Sequence, residues 1–344
     1  MNYLALTWRS RGMRQKRRAP QLYVRRYNID ELHPADISQD VRSIQLMFTD
    51  PQSMFVTFIA KSHLMNKVFF ILLLVCCVQT HAADYKVEEI EFSSHNIKLS
   101  GSIVFPEKNR LRAAVVFVHG SGKQTRNLRL ANLFASHGIA AFVYDKRGAG
   151  RSGGEYEGNQ SMSEHNVSLL ADDAAAALNA LRQHPRAAGL PVGLTGISQA
   201  GWIVPLAAEK SRNADFLVLW SSPVCKVSEE DIYSKHTADK DAKNLPTYAQ
   251  ALAARTQKYI WPDFLGKDTD PGESLARLSI PGLWIFGEND GSIPVDLSIQ
   301  RLKKLSERNG TFDYVLFSNL GHNNMSETFL TAVDWIGRVK KSTH

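Results

Sequence analysis

Four short stretches carry residue types that acyl-transfer chemistry needs, and each follows an apolar run. The first is Gly196-Ile197-Ser198-Gln199-Ala200-Gly201. Small residues around a serine permit a sharp strand-to-helix turn that lifts the hydroxyl clear of a sheet. The N-terminus of the following helix then favours nearby negative charge. The usual pattern is G-x-S-x-G; here Ala200 holds the last position and Gly201 follows it. The second stretch is Gly321-His322, with His322 as the general base for Ser198. Among 11 histidines it is selected by its place after a strand and behind a glycine. The third, Gly287-Glu288-Asn289-Asp290-Gly291-Ser292-Ile293-Pro294, offers Asp290 or Glu288 to hold the imidazole in its tautomer and stabilise the imidazolium. The fourth is His119-Gly120-Ser121-Gly122. It can aim the N–H of Ser121, or of Gly122, at a developing oxyanion, with the N–H of Gln199 as second donor. His119 is expected to shape this loop, not to act as an acid or base. Serine, then carboxylate, then histidine is the chain order of one fold in particular.

The elements that must position these residues alternate along residues 84–344. Val87–Phe92 and Ile97–Phe105 are predicted as a strand hairpin. Ala113–Val118 is a continuous apolar run, as expected of a central strand covered on both faces, Ile139–Tyr144 is predicted as the next buried strand, and Phe216–Trp220 as a strand. Further strands are predicted at Pro191–Ile197, Leu283–Phe286 and Phe312–Phe317. Helices are predicted at Asn127–His137, Asn166–Arg182, Gln199–Lys210, Asp296–Arg308 and Glu327–Val339. Asp145–Gly158 reads as a glycine-rich charged loop. Residues 224–278 break the rhythm and read as a polar, weakly helical insertion. The alternation implies a mostly parallel sheet with helices on both faces, and a site at the carboxyl ends of the strands. Strand order does not follow from the sequence.

With these residues in place, the chain resembles the α/β-hydrolase superfamily over residues 86–340. More narrowly it is similar to the serine aminopeptidase and dienelactone-hydrolase-like branch. The supporting strings are VVFVHGSG (115–122), YDKRGAGRSGG (144–154), GISQAGW (196–202), GENDGSIP (287–294) and GHNNM (321–325). The resemblance favours Asp290 over Glu288, since family members carry an aspartate two or three residues before a similar hydrophobic-proline pair. It implies that Arg147 and its glycines brace the nucleophile loop without a catalytic role. It also implies an acyl-enzyme mechanism: Ser198 attacks a carbonyl, His322 takes its proton, and the N–H groups of Ser121 and Gln199 bind the oxyanion. No metal or organic cofactor is implied. Residues 224–278 take the place of the family's cap. There Tyr259, Ile260, Trp261 and Phe264 are expected either to wall an acyl pocket or to pack the cap itself. The expected activity is carboxylic-ester hydrolysis. A peptidase acting on short peptides is the alternative within enzymes, and a non-catalytic binding protein on the same fold is the rival outside them.

Composition and charge set the remaining limits. The 344 residues are 44% hydrophobic and 22% charged, which excludes a disordered or disulfide-dense scaffold. The formal charge is +7, but residues 1–82 hold 11 of the 41 Lys/Arg and 5 of the 34 Asp/Glu. The rest of the chain is therefore close to neutral and makes no electrostatic claim on nucleic acid. Residues 65–82 read as a secretory signal peptide: Lys67, the apolar run Val68 to Val78, then Thr80-His81-Ala82 before a cleavage point. Residues 1–64 are expected to be an upstream extension outside the fold, with Met65 as the natural start. Cleavage would leave residues 83–344 periplasmic or secreted, without a stable membrane anchor, and with Cys225 alone among 3 cysteines.

Overall fold

In a computed structural model the chain forms two compact units, Met1–His81 and Ala82–His344. The structure describes residues 85–158, 161–309 and 312–341, together with four short strands of the first unit. Those strands, Tyr3–Leu6, Val24–Tyr27, Gln45–Asp50 and Ser53–Thr57, pair antiparallel, with the first between the second and third. Residues 1–64 thus carry strands that the sequence pattern does not suggest. The proposed signal peptide, 65–82, lies outside the described residues.

The second unit is built on eight strands: β1 Tyr85–Ser94, β2 Ile97–Pro106, β3 Ala113–Val118, β4 Ile139–Tyr144, β5 Val192–Ile197, β6 Phe216–Trp220, β7 Gly282–Gly287 and β8 Phe312–Phe317. Their order in the sheet is β8-β7-β6-β5-β3-β4-β2-β1. β3 to β8 run parallel, and β2 is antiparallel to β1 and β4. The β1–β2 hairpin turns through His95 and Asn96, both with positive φ, as a two-residue turn matched to strand twist requires. β3, β4, β6 and β7 are buried at every position, because helices cover both faces.

Helices α1 Leu128–Ser136 and α8 Met325–Ile336 pack on one face, around Phe134, Trp220 and Phe329. Helices α2 Glu164–Gln183, α3 Ala200–Ser211 and α7 Val295–Asn309 pack on the other. Between β6 and β7 lie three short helices, α4 Val227–Thr237, α5 Tyr248–Ala253 and α6 Pro271–Leu275. This is the segment that reads as an insertion. The chain leaves β3 towards β4 on one side and returns to β5 on the other. The carboxyl ends of β3 and β5 therefore flank the point where the connections diverge, which is where an open α/β sheet makes its crevice.

Candidate active site

Ser198 follows β5 directly, at that crevice. Its φ is +56°, in the left-handed region. For a residue with a side chain this costs about 1–2 kcal/mol, which the surrounding packing sustains. The Ser198 N–H donates to the Trp220 carbonyl at 3.1 Å, and Gly201 N–H donates to the Ser198 carbonyl at 2.8 Å. Gly196 explains why the turn closes: a Cβ there would lie 2.5 Å from Ala200 Cβ and 2.7 Å from the Val118 carbonyl. The same contact accounts for Ala200. With position 196 bare, the methyl of Ala200 fits over it at the first turn of α3. Position 196 thus matters more to the elbow than glycine at 200.

The loop after β3 lies against this turn. A Cβ on Gly120 would stand 3.5 Å from Ser198 Cβ. Gln199 is fully buried. Its amide nitrogen donates to the Ser161 carbonyl at 3.0 Å, while its amide oxygen accepts from Lys146 Nζ at 2.8 Å. Lys146 also donates to the carbonyls of Gly120 at 2.9 Å and Gly122 at 3.2 Å. The sequence reading did not single out this lysine. His119 is buried and meets the Tyr144 ring edge-on at 5.1 Å. Burial, with the Lys146 charge beside it, pushes its pKa down to about 4. It is neutral near pH 7 and shapes the loop.

His322 follows β8. Its Nδ1 lies 3.0 and 2.9 Å from the two carboxylate oxygens of Asp290. Asp290 is fully buried, and its Oδ1 also accepts from the N–H groups of Ser292 at 2.9 Å and Ile293 at 3.1 Å. Glu288 is exposed, so the structure places Asp290, not Glu288, against the ring. Burial alone would lower the His322 pKa. The Asp290 hydrogen bond and charge, helped by Asp241 and Glu230, overcome that and raise it. An imidazole so placed keeps Nε2 free to take a proton.

The insertion grips this half of the site. Asp241 accepts from the backbone N–H of His322 at 2.9 Å and of Gly291 at 3.0 Å, tying the histidine loop to the carboxylate loop. A side chain at either glycine would meet this contact. A Cβ on Gly321 would lie 2.0 Å from an Asp241 oxygen, and one on Gly291 would lie 2.1 Å from the Lys240 carbonyl. Tyr233 of α4 donates to the Asp290 carbonyl at 3.3 Å. Glu230, also on α4, is pushed up to about 8, chiefly by burial and then by Asp239 and Asp231, with His322 opposing. On the far side, Asn324 Nδ2 donates to Ser221 Oγ at 2.8 Å and to the Gly321 carbonyl at 2.9 Å.

Two sequence expectations change. The cap aromatics do not form one wall. Tyr259 donates to Asp231 at 2.8 Å and Trp261 to the Gly266 carbonyl at 2.8 Å, while Ile260 and Phe264 are 78% and 70% exposed. The cleft beside the nucleophile turn, of about 700 Å³, is lined instead from α1 and α8, by Leu130, Leu133, Ile197, Asn323, Met325 and Phe329 among others. Arg147 does not brace the nucleophile loop directly; it pairs with buried Asp173 of α2. Cys225 is buried and in no disulfide among the described residues. Among the described residues, no helix is long and apolar enough to cross a membrane.

Comparison with known proteins bears on the fold. The serine aminopeptidase family S33 matches residues 109–272, just under half of the chain, a span that includes Ser198 but ends before Asp290 and His322. No curated protein sequence matches the chain. Among solved structures, an esterase of Pyrococcus furiosus is 17% identical, over 74% of this chain and 91% of its own, with a TM-score of 0.52. An acylaminoacyl peptidase of Pyrococcus horikoshii is 18% identical over 88% of this chain, with a TM-score of 0.57; the match spans 48% of that longer protein. An acetyl xylan esterase of a Paenibacillus species is 13% identical, over 76% of this chain and 86% of its own, with a TM-score of 0.57. At such identities the likeness is one of fold, and the sheet order and the turn at Ser198 are those of an α/β-hydrolase fold.

Proposed function

We propose that the protein is a serine hydrolase that cleaves carboxylic esters through Ser198, His322 and Asp290. The observation that carries the reading is the His322–Asp290 pair, with Nδ1 held at 2.9 Å, together with a serine held in a strained turn at the sheet crevice. In this mechanism Nε2 of His322 takes the Ser198 proton as Oγ attacks the carbonyl carbon. The N–H groups of Ser121 and Gln199 receive the oxyanion, with Gly122 as the alternative to Ser121. His322 then protonates the leaving alcohol, and water repeats the sequence on the acyl-enzyme. The cleft between α1 and α8 suits an apolar acyl or alcohol group, since its lining is mostly apolar and it begins at Ile197 and Asn323. The esterases among the similar structures support the same choice.

One observation favours a second reading, peptidase activity on short peptides. Glu230 is a half-buried carboxyl within electrostatic reach of His322. Opposite a substrate ammonium it would ionise and bind it. Export, through residues 65–82 as a signal peptide, belongs to the proposal as well, and it makes acyl-CoA an improbable substrate. Nucleic acid is not a proposed partner.

The test is hydrolysis of p-nitrophenyl esters from two to sixteen carbons beside aminoacyl-nitroanilides, with wild type and Ser198→Ala. Ester turnover that depends on Ser198 is expected, with a chain-length optimum set by the cleft. Anilide turnover that is lost in Glu230→Gln would make the peptidase reading primary. Silence on both, with no labelling by a fluorophosphonate, would leave a binding protein on this fold.

A further inference from the structure

Lys146 is part of the site, but the proposed reaction gives it no role. It sits in the loop after β4, and its side chain runs inward; the residue is 2% exposed. All three of its bonds go to neutral oxygens, those of Gly120, Gly122 and the Gln199 amide. No carboxylate pairs with its ammonium among the described residues. Asp145, next in the chain, is taken by Arg126 and by the Arg151 N–H. His119 is neutral, and the Tyr156 ring lies 5.9 Å away. An ammonium buried without a counter-charge is costly, and burial pulls this one down to about 8.

The bonds show what the charge is placed to do. All peptide bonds here are trans, so each N–H points opposite to the carbonyl of its own peptide unit. Lys146 draws the Gly120 carbonyl inward and thereby turns the Ser121 N–H outward, away from the lysine. The same pull on the Gly122 carbonyl fixes the next peptide but one. The bond to Gln199 Oε1 locks the residue that carries the second N–H. One ammonium thus spans both segments expected to hold the oxyanion, from behind. A cation on the carbonyl end of a peptide also polarises its N–H into a stronger donor.

We propose that Lys146 is a positioning residue for the oxyanion site, aligning and polarising the Gly120–Ser121 peptide and holding the Gln199 side chain in place for a negatively charged intermediate. The role rests on the serine-hydrolase reading. It gives the buried ammonium its missing counter-charge, which arrives only as the reaction creates it.

The experiment uses the full chain as wild type, Ser198→Ala, Lys146→Met and Lys146→Gln. Fluorophosphonate labelling that is lost in Ser198→Ala first establishes the reactive serine. Steady-state kinetics on p-nitrophenyl butyrate and inhibition by phenylboronic acid follow. The boronate forms a tetrahedral anion on the serine, which reads the oxyanion site directly. Lys146→Met is expected to lower kcat roughly 30- to 100-fold and boronate affinity by a similar factor, with KM within about threefold. Lys146→Gln, which keeps two N–H donors without the charge, should fall between, and it carries the comparison should Lys146→Met not fold. A kcat and boronate affinity both within about threefold of wild type would overturn the role. So would a fall in kcat with boronate affinity intact, which marks a structural effect. Wild type without Ser198-dependent labelling would remove the hydrolase reading, and this role with it.

Discussion

The two halves of the site are braced by opposite charges. Behind the nucleophile turn and the loop at 119–122 stands a cation, Lys146, bonded to carbonyl and amide oxygens. Around the histidine stand carboxylates: Asp290 on the ring and Asp241 on the backbone N–H groups of His322 and Gly291. Acyl transfer separates charge in the same sense, with an oxyanion forming on the first side and an imidazolium on the second. Under the proposed mechanism the site would be charged in advance for the state that forms, where fixed charges need no reorganisation. The halves also differ in origin. The first is held within the sheet and its own loops. The second is held by Tyr233 and Asp241 of the insertion, so the insertion also fixes where His322 and Asp290 sit.

Substitutions can break that contrast in graded steps. Ser198→Ala removes the nucleophile and should lower kcat by about 10⁴-fold or more on any ester the enzyme turns over. Asp290→Asn, which leaves the shape but not the charge, should cost on the order of 10⁴-fold in kcat. Glu288→Gln, at an exposed position, should leave kcat within about twofold of wild type; equal losses at the two positions would move the acid role. Asp241→Ala frees the histidine loop from the carboxylate loop. A slack of about 1 Å there should lower kcat roughly 10²-fold with the protein still folded, as read by kinetics beside a melting curve.

Asp241→Asn sharpens the electrostatic side of the comparison. His322 must be neutral to act as base, and its neighbours raise its pKa above the ordinary 6.5. The acid limb of kcat/KM should therefore lie above that pH in wild type. Removing the Asp241 charge lets burial count for more, so the limb should move to lower pH in Asp241→Asn. An unmoved limb would confine Asp241 to a mechanical role. Gly291→Ala is expected to act on stability. Its Cβ meets the Lys240 carbonyl, and overpacking against backbone should cost about 1–3 kcal/mol of stability, seen as a lower Tm.

Much of this fold is written locally. Ala113–Val118, Ile139–Tyr144, Phe216–Trp220 and Phe312–Phe317 are predicted with the bounds that the structure shows. The first three are continuous apolar runs, which a covered parallel strand demands. Ser198, Asp290 and His322 stand out because each lies just past a strand, among small residues. Lys146 and Asp241 do not stand out. Each acts on residues from 24 to 81 positions away, and in the sequence each is one charge in a polar loop. A lysine directly after a buried strand, as in Tyr144-Asp145-Lys146, was the one available signal for the first. The aromatics at 259–264 mislead for the converse reason: an apolar residue in an irregular segment says nothing of which way it faces, and Ile260 and Phe264 face solvent.

The sequence by itself determined the alternation of strands and helices, the residues at four strand ends and their order, because apolar periodicity and turn chemistry are local properties of the chain. Only the tertiary structure decided which strands adjoin, that Asp290 and not Glu288 meets His322, and that a buried lysine and an insertion aspartate hold the two halves. Those outcomes rest on contacts between distant segments, whose burial and charge exist only once the sheet has formed.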